Sequence, residues 1–207
     1  MTMKTRLTAL AAWALMLPAM VQAGTTLVNP NLASKQELQA LPNVDAGTAQ
    51  AIIDGRPYLS AADLDAALAG AMDDGQREAL YAKLFRPINL NNASEAEILL
   101  IPAMSKKMAH EFEEYRPYTS MEQFRREIGK YVDEEEVARL EQYVFIPVDL
   151  NAASEESIMT IPGMSKRMAH EFEEYRPYRD MEQFRREIGK YVDDDEVARL
   201  ESYVTLN

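Results

Sequence analysis

Asn91-Asn92-Ala93-Ser94-Glu95-Ala96-Glu97-Ile98-Leu99-Leu100-Ile101-Pro102 is the stretch that decides the fold, because the chain returns to it twice. Sixty residues later it reads Asn151-Ala152-Ala153-Ser154 to Ile161-Pro162, and sixty residues earlier Asn31-Leu32-Ala33-Ser34 to Leu41-Pro42. Arg56-Pro57-Tyr58, Arg116-Pro117-Tyr118 and Arg176-Pro177-Tyr178 keep the same offset without an insertion, and Met121 to Asp133 is identical to Met181 to Asp193. A fixed period of this length predicts tandem supersecondary units that bury their apolar faces against one another.

Each unit reads as helical, with no period-2 run long enough to predict a strand. In the second copy Ser94 and Glu97 form a capping box for a short helix with Ile98, Leu99 and Ile101 on its apolar face, and Pro102 stops it. A turn at Ala103-Met104-Ser105 leads into a helix over 106–115, with Met108, Ala109 and Phe112 on one side, broken at Arg116-Pro117. Ser120, or Asp180 in the last copy, caps a third helix carrying Met121, Phe124 and Ile128. Gly129-Lys130-Tyr131-Val132 turns the chain, and Asp133 caps a fourth helix whose first turn is Glu134-Glu135-Glu136, a placement the helix dipole favours.

The fold expected is therefore all-α, three tandem units of about 60 residues behind a leader. Residues 1–23 read as a secretory signal: Lys4 and Arg6, an apolar run from Leu7 to Leu17, and a small-residue exit at Val21-Gln22-Ala23. The units then span 24–87, 88–147 and 148–207, with no Gly/Ser linker at Phe85-Arg86-Pro87 or Phe145-Ile146-Pro147. With no cysteine, no disulfide can hold a unit together, and 60 residues make a marginal core, so neighbours must support one another. Without Lys4 and Arg6 the chain carries 20 basic and 34 acidic residues, and acidity rises along it, from -3 (28–87) through -5 (88–147) to -6 (148–207). Such a balance repels polyanions at long range. No span long enough for a membrane helix is expected in the mature chain.

The order Asn-x-Ala-Ser, Leu-Pro, turn, helix, Arg-Pro-Tyr, helix, turn, helix resembles the ComEA-type helix-hairpin-helix domain, a bacterial DNA-binding module outside the cytoplasm. The likeness covers nearly all of the mature chain and implies a related hairpin fold, two hairpins per unit, and a periplasmic location. In that family each hairpin resembles Gly-hydrophobic-Gly, the glycines letting helix N-terminal amides approach a DNA phosphate. At the second glycine position this chain has Asp45, Ser105 and Ser165 in the first hairpins and Asp73, Asp133 and Asp193 in the second. At the first position only Gly163 remains, beside Asn43, Ala103, Ala71, Tyr131 and Tyr191. Asp or Ser there is expected to cap the following helix from within.

Against that stand Lys106, Lys107, Lys166 and Arg167, cations in a first helical turn where they oppose the dipole, with Arg125, Arg126, Arg185 and Arg186 able to extend a phosphate- or partner-binding patch. Tyr115, Arg116, Tyr175 and Arg176 are candidate protein-partner contacts, since Tyr and Arg dominate contact energies in pockets, whereas Tyr118 and Tyr178 are expected to plug the core. His110 and Glu114 share a helix face without a third ligand, no cysteine or Ser/His/Asp set offers a nucleophile, and no glycine-rich phosphate loop is present, so neither a metal, a cofactor nor an enzyme is expected. The reading reached is an exported, non-catalytic protein-interaction or structural module with an envelope protein as partner; the alternative is a ComEA-like periplasmic DNA receptor.

Overall fold

The computed structural model describes residues 27–206 and is mostly helical. The expected leader lies outside the described residues. Among the described residues twelve helices fall in three sets of four: α1 (Lys35–Gln39), α2 (Ala46–Asp54), α3 (Ala61–Leu68) and α4 (Asp74–Tyr81); α5 (Glu95–Ile98), α6 (Lys106–Glu114), α7 (Met121–Ile128) and α8 (Glu134–Glu141); α9 (Glu155–Ile158), α10 (Lys166–Glu174), α11 (Met181–Ile188) and α12 (Asp194–Glu201). Every one begins on a Ser or Asp in extended backbone whose side chain accepts an amide of the first turn, so the polar punctuation of the sequence sets the helix starts. The Arg–Pro bonds before Pro57, Pro117 and Pro177 are cis. No helix among the described residues is long and apolar enough to cross a membrane.

The all-α class holds, with a few two-residue strands added to the helices. Strand β1 (Ile88–Asn89) pairs in parallel with β2 (Val144–Phe145), and β3 (Val148–Asp149) with β4 (Val204–Thr205), while Val28 bridges Leu84 in the same sense. Each set is thus closed by pairing its entry with its exit, and each exit runs on into the next entry. Parallel pairing needs a long crossover, which four helices supply. Strands of two residues leave no alternation to read, so the sequence pattern could not announce them.

Buried side chains of the first and second sets form one continuous core, from Ala33 to Val144, and the third set has its own, from Val148 to Tyr203. Aromatic rings staple the junctions: Phe85 meets Tyr143 edge-on at 5.0 Å, and Phe145 lies 4.7 Å from Tyr203. The first set also reaches the third directly, because a Cβ placed on Gly163 would stand 3.0 Å from a methyl of Leu32. The array curls so that alternate sets touch.

Candidate functional site

The six hairpin positions singled out in the sequence all lie at helix N-termini, and each side chain is bonded to its own helix. Asp45 accepts the Thr48 amide at 2.7 Å, Asp73 that of Gln76 at 2.8 Å, Asp133 that of Glu136 and Asp193 that of Glu196 at 2.9 Å, and Ser105 and Ser165 those of Met108 and Met168 at 3.1 Å. Bonding to the Thr48 backbone amide is also what lowers the Asp45 carboxyl below its usual range. Two residues before these caps, in the turns that precede α2, α6 and α10, the backbone is left-handed at Asn43 (φ 62°), Ala103 (φ 60°) and Gly163 (φ 76°). The same bend is thus made by Asn43 and Ala103 as by Gly163. For Ala103 that conformation costs about 1–2 kcal/mol.

The basic residues singled out in the sequence divide into three groups. Arg125 grips Glu141 and Arg185 grips Glu201 through two guanidinium nitrogens each, Arg126 and Lys130 converge on Glu127, and Arg186 and Lys190 on Glu187. Lys130 and Lys190 are accordingly held above the usual lysine range, and Glu127 and Glu187 below the usual glutamate range. Lys106, Lys107, Lys166 and Arg167 are exposed and form no ion pair among the described residues. Arg116 and Arg176 are drawn inward. Arg116 Nε donates to the Leu90 carbonyl and Arg176 Nε to that of Leu150, both at 2.6 Å, and both reach the carbonyl of the Ala before the first helix of their set. Their donors are committed within the chain, and Tyr115 and Tyr175 are half-buried against the cores.

Tyr115 and Tyr131 share a hydrogen bond between hydroxyls at 2.8 Å, as do Tyr175 and Tyr191, and Lys130 and Lys190 lie over the Tyr115 and Tyr175 rings at 4.8 and 4.9 Å. Bonding to its tyrosine partner and to Glu111 or Glu171 raises the Tyr131 and Tyr191 hydroxyls well above the ordinary tyrosine value. Buried beneath are Glu111 and Glu171, each with one carboxylate oxygen lacking a hydrogen-bond partner among the described residues. His110 and Glu114 face each other at 3.8 Å on an exposed helix side, and no cluster of three His, Asp or Glu among the described residues is arranged to hold a metal.

Arg86 was not singled out by its sequence. It is 1% exposed, with no carboxylate within ion-pair distance among the described residues, and it joins the first set to the third. Its guanidinium donates to the carbonyls of Tyr58, Leu59 and Pro87 and to the Ser202 hydroxyl, and stacks 4.1 Å from the Tyr203 ring. The sole clue was the break in the period at the linkers, where Arg86 is followed sixty residues later by Ile146. Compared with protein-family models, with curated proteins and with solved structures, the chain finds no match.

Proposed function

We propose that this is an exported, non-catalytic array of three degenerate ComEA-type helix-hairpin-helix repeats that binds another protein or supports an envelope assembly in the periplasm. What carries this reading is the self-capping of all six hairpin positions: a side chain of the chain itself takes an amide that an open hairpin would offer to a phosphate. Four of the six caps are carboxylates, and a carboxylate about 4 Å from a phosphate oxygen repels it by roughly 1–4 kcal/mol, depending on exposure. The net charge of -14 without the leader acts in the same direction.

Binding of DNA is the second reading, and one observation favours it: Lys106, Lys107, Lys166 and Arg167 are exposed at helix starts without an ion pair among the described residues. Anisotropy titration of a labelled 20-base-pair duplex at low salt separates the two. The chain from residue 24 onward is expected to show no micromolar binding, whereas Asp133→Gly with Asp193→Gly, which costs a cap only a few tenths of a kcal/mol, should gain some. Micromolar binding that falls steeply with salt and disappears when the four cations become Ala would replace the first reading by the second.

A further inference from the structure

Consecutive sets meet at a groove, and the two grooves are built from equivalent residues. Leu59, Ser60, Pro87 and Asn89 line the first, of about 320 Å³, and Thr119, Ser120, Pro147 and Asp149 line the second, of about 1000 Å³. They differ in one side chain and in what lies over it. Arg86 lies in the first groove, its Nε 3.2 Å from the Tyr58 carbonyl, Nη2 3.2 Å from that of Leu59 and 2.7 Å from Ser202 Oγ, and Nη1 2.7 Å from that of Pro87. Burying an arginine without a carboxylate is tolerated here because carbonyl dipoles, a hydroxyl and an aromatic face replace its hydration. In the second groove Ile146 stands at the corresponding position and can donate nothing. The corresponding residues Tyr118, Thr119 and Pro147 line it without a guanidinium, and among the described residues nothing covers it as Ser202 and Tyr203 cover the first. Its lining holds no Lys, Arg or His, and of its two carboxylates Glu141 is already gripped by Arg125 while Asp149 adds to the acidity of sets of net charge -5 and -6.

We propose that the second groove binds an arginine side chain presented by a partner protein, its guanidinium set against the carbonyls of Tyr118, Thr119 and Pro147 as Arg86 is set against those of Tyr58, Leu59 and Pro87. The proposal rests on the reading of the chain as a protein-binding array and names the chemistry of the partner at one surface. Planarity and weak hydration make a guanidinium the cation for such a site, and an ammonium a poorer one.

The test is an amide-shift titration of the isotope-labelled chain from residue 24 onward with N-acetyl-argininamide, N-acetyl-lysinamide and N-acetyl-citrullinamide. The arginine probe should shift amides of 118–121 and 148–153 saturably, the lysine probe at least about five-fold more weakly, and the neutral citrulline probe not at all. Ile146→Arg, which supplies an internal guanidinium, should abolish the response, and the amide map of the unliganded variant reports that it is folded. Equal response to lysine, shifts confined to the acidic starts of α8 and α12, or a response that survives Ile146→Arg would overturn the proposal. Capture of the same envelope protein by the wild type and by Ile146→Arg would also remove this groove while leaving the interaction reading intact, so the two fail separately.

Discussion

Tyr58 and Tyr118 occupy the same place in the first and second sets of helices, both buried, yet they end differently. The Tyr58 hydroxyl donates to the Ile52 carbonyl at 3.0 Å, satisfying one of the orphan acceptors at the end of α2, while the hydroxyls of Tyr118 and Tyr178 have no partner among the described residues. Gly55 explains the contrast. A Cβ there would lie 2.6 Å from the Tyr58 hydroxyl, and the second and third sets carry that Cβ on Tyr115 and Tyr175. The same substitution pattern extends across the surface: Ala51, Gly55, Ala66, Ala67, Gly70 and Ala71 correspond to Glu111, Tyr115, Arg126, Glu127, Lys130 and Tyr131. One set spends the position on its own helix end, and the other two build a polar, aromatic surface over it. The decorated surface therefore belongs to the second and third sets, and the first lacks it.

The largest expected effect that tests this contrast comes from Gly55→Ala. The added methyl must displace the Tyr58 hydroxyl, so stability should fall by roughly 2 kcal/mol in urea denaturation. An unchanged midpoint would show that the glycine is not what separates the sets. Smaller, and opposite in sign, are Tyr58→Phe and Tyr118→Phe. The first removes a made hydrogen bond and should cost about 1 kcal/mol, while the second removes a buried hydroxyl without a partner and should leave stability unchanged or raise it by up to about 1 kcal/mol. Equal losses at both positions would erase the distinction.

The smallest effect is in acid. Glu127 and Glu187 are held below the ordinary glutamate value of 4.5, first by hydrogen bonding to Lys130 and Lys190. A depressed folded-state pKa gives stability that is present above the ordinary value and lost as pH falls through the lower one. The melting temperature should therefore decline below about pH 4.5, and Glu127→Gln with Glu187→Gln should flatten that decline. The first set, with Ala67 and Gly70 at these positions, contributes nothing to this difference. A decline of the same steepness in the double variant would assign it to other carboxylates, such as Asp45.

Much of the helical framework was legible beforehand, for a local reason. Capping residues, prolines and apolar spacing act within one or two turns, so Ser94, Ser120 and Asp133 announced their helices, and the self-capping of the six hairpin positions followed from residue type alone. The acidic partners of Arg126 and Arg186 were also within local reach. Arg116 and Arg176 were harder to place, because an Arg-Pro-Tyr motif looks the same whether its guanidinium faces solvent or the carbonyls of a segment 26 residues away.

What the sequence by itself determined is the period, the helix starts and the charge gradient, all of them properties of neighbouring residues. Only the tertiary structure decided that entry and exit pair as parallel strands, that Leu32 meets Gly163, and that Arg86 is sealed at a junction of three sets while its counterpart Ile146 leaves a groove open. Those outcomes depend on how an array of units curls back on itself, and the packing of surfaces more than a hundred residues apart leaves no mark in the spacing of either one.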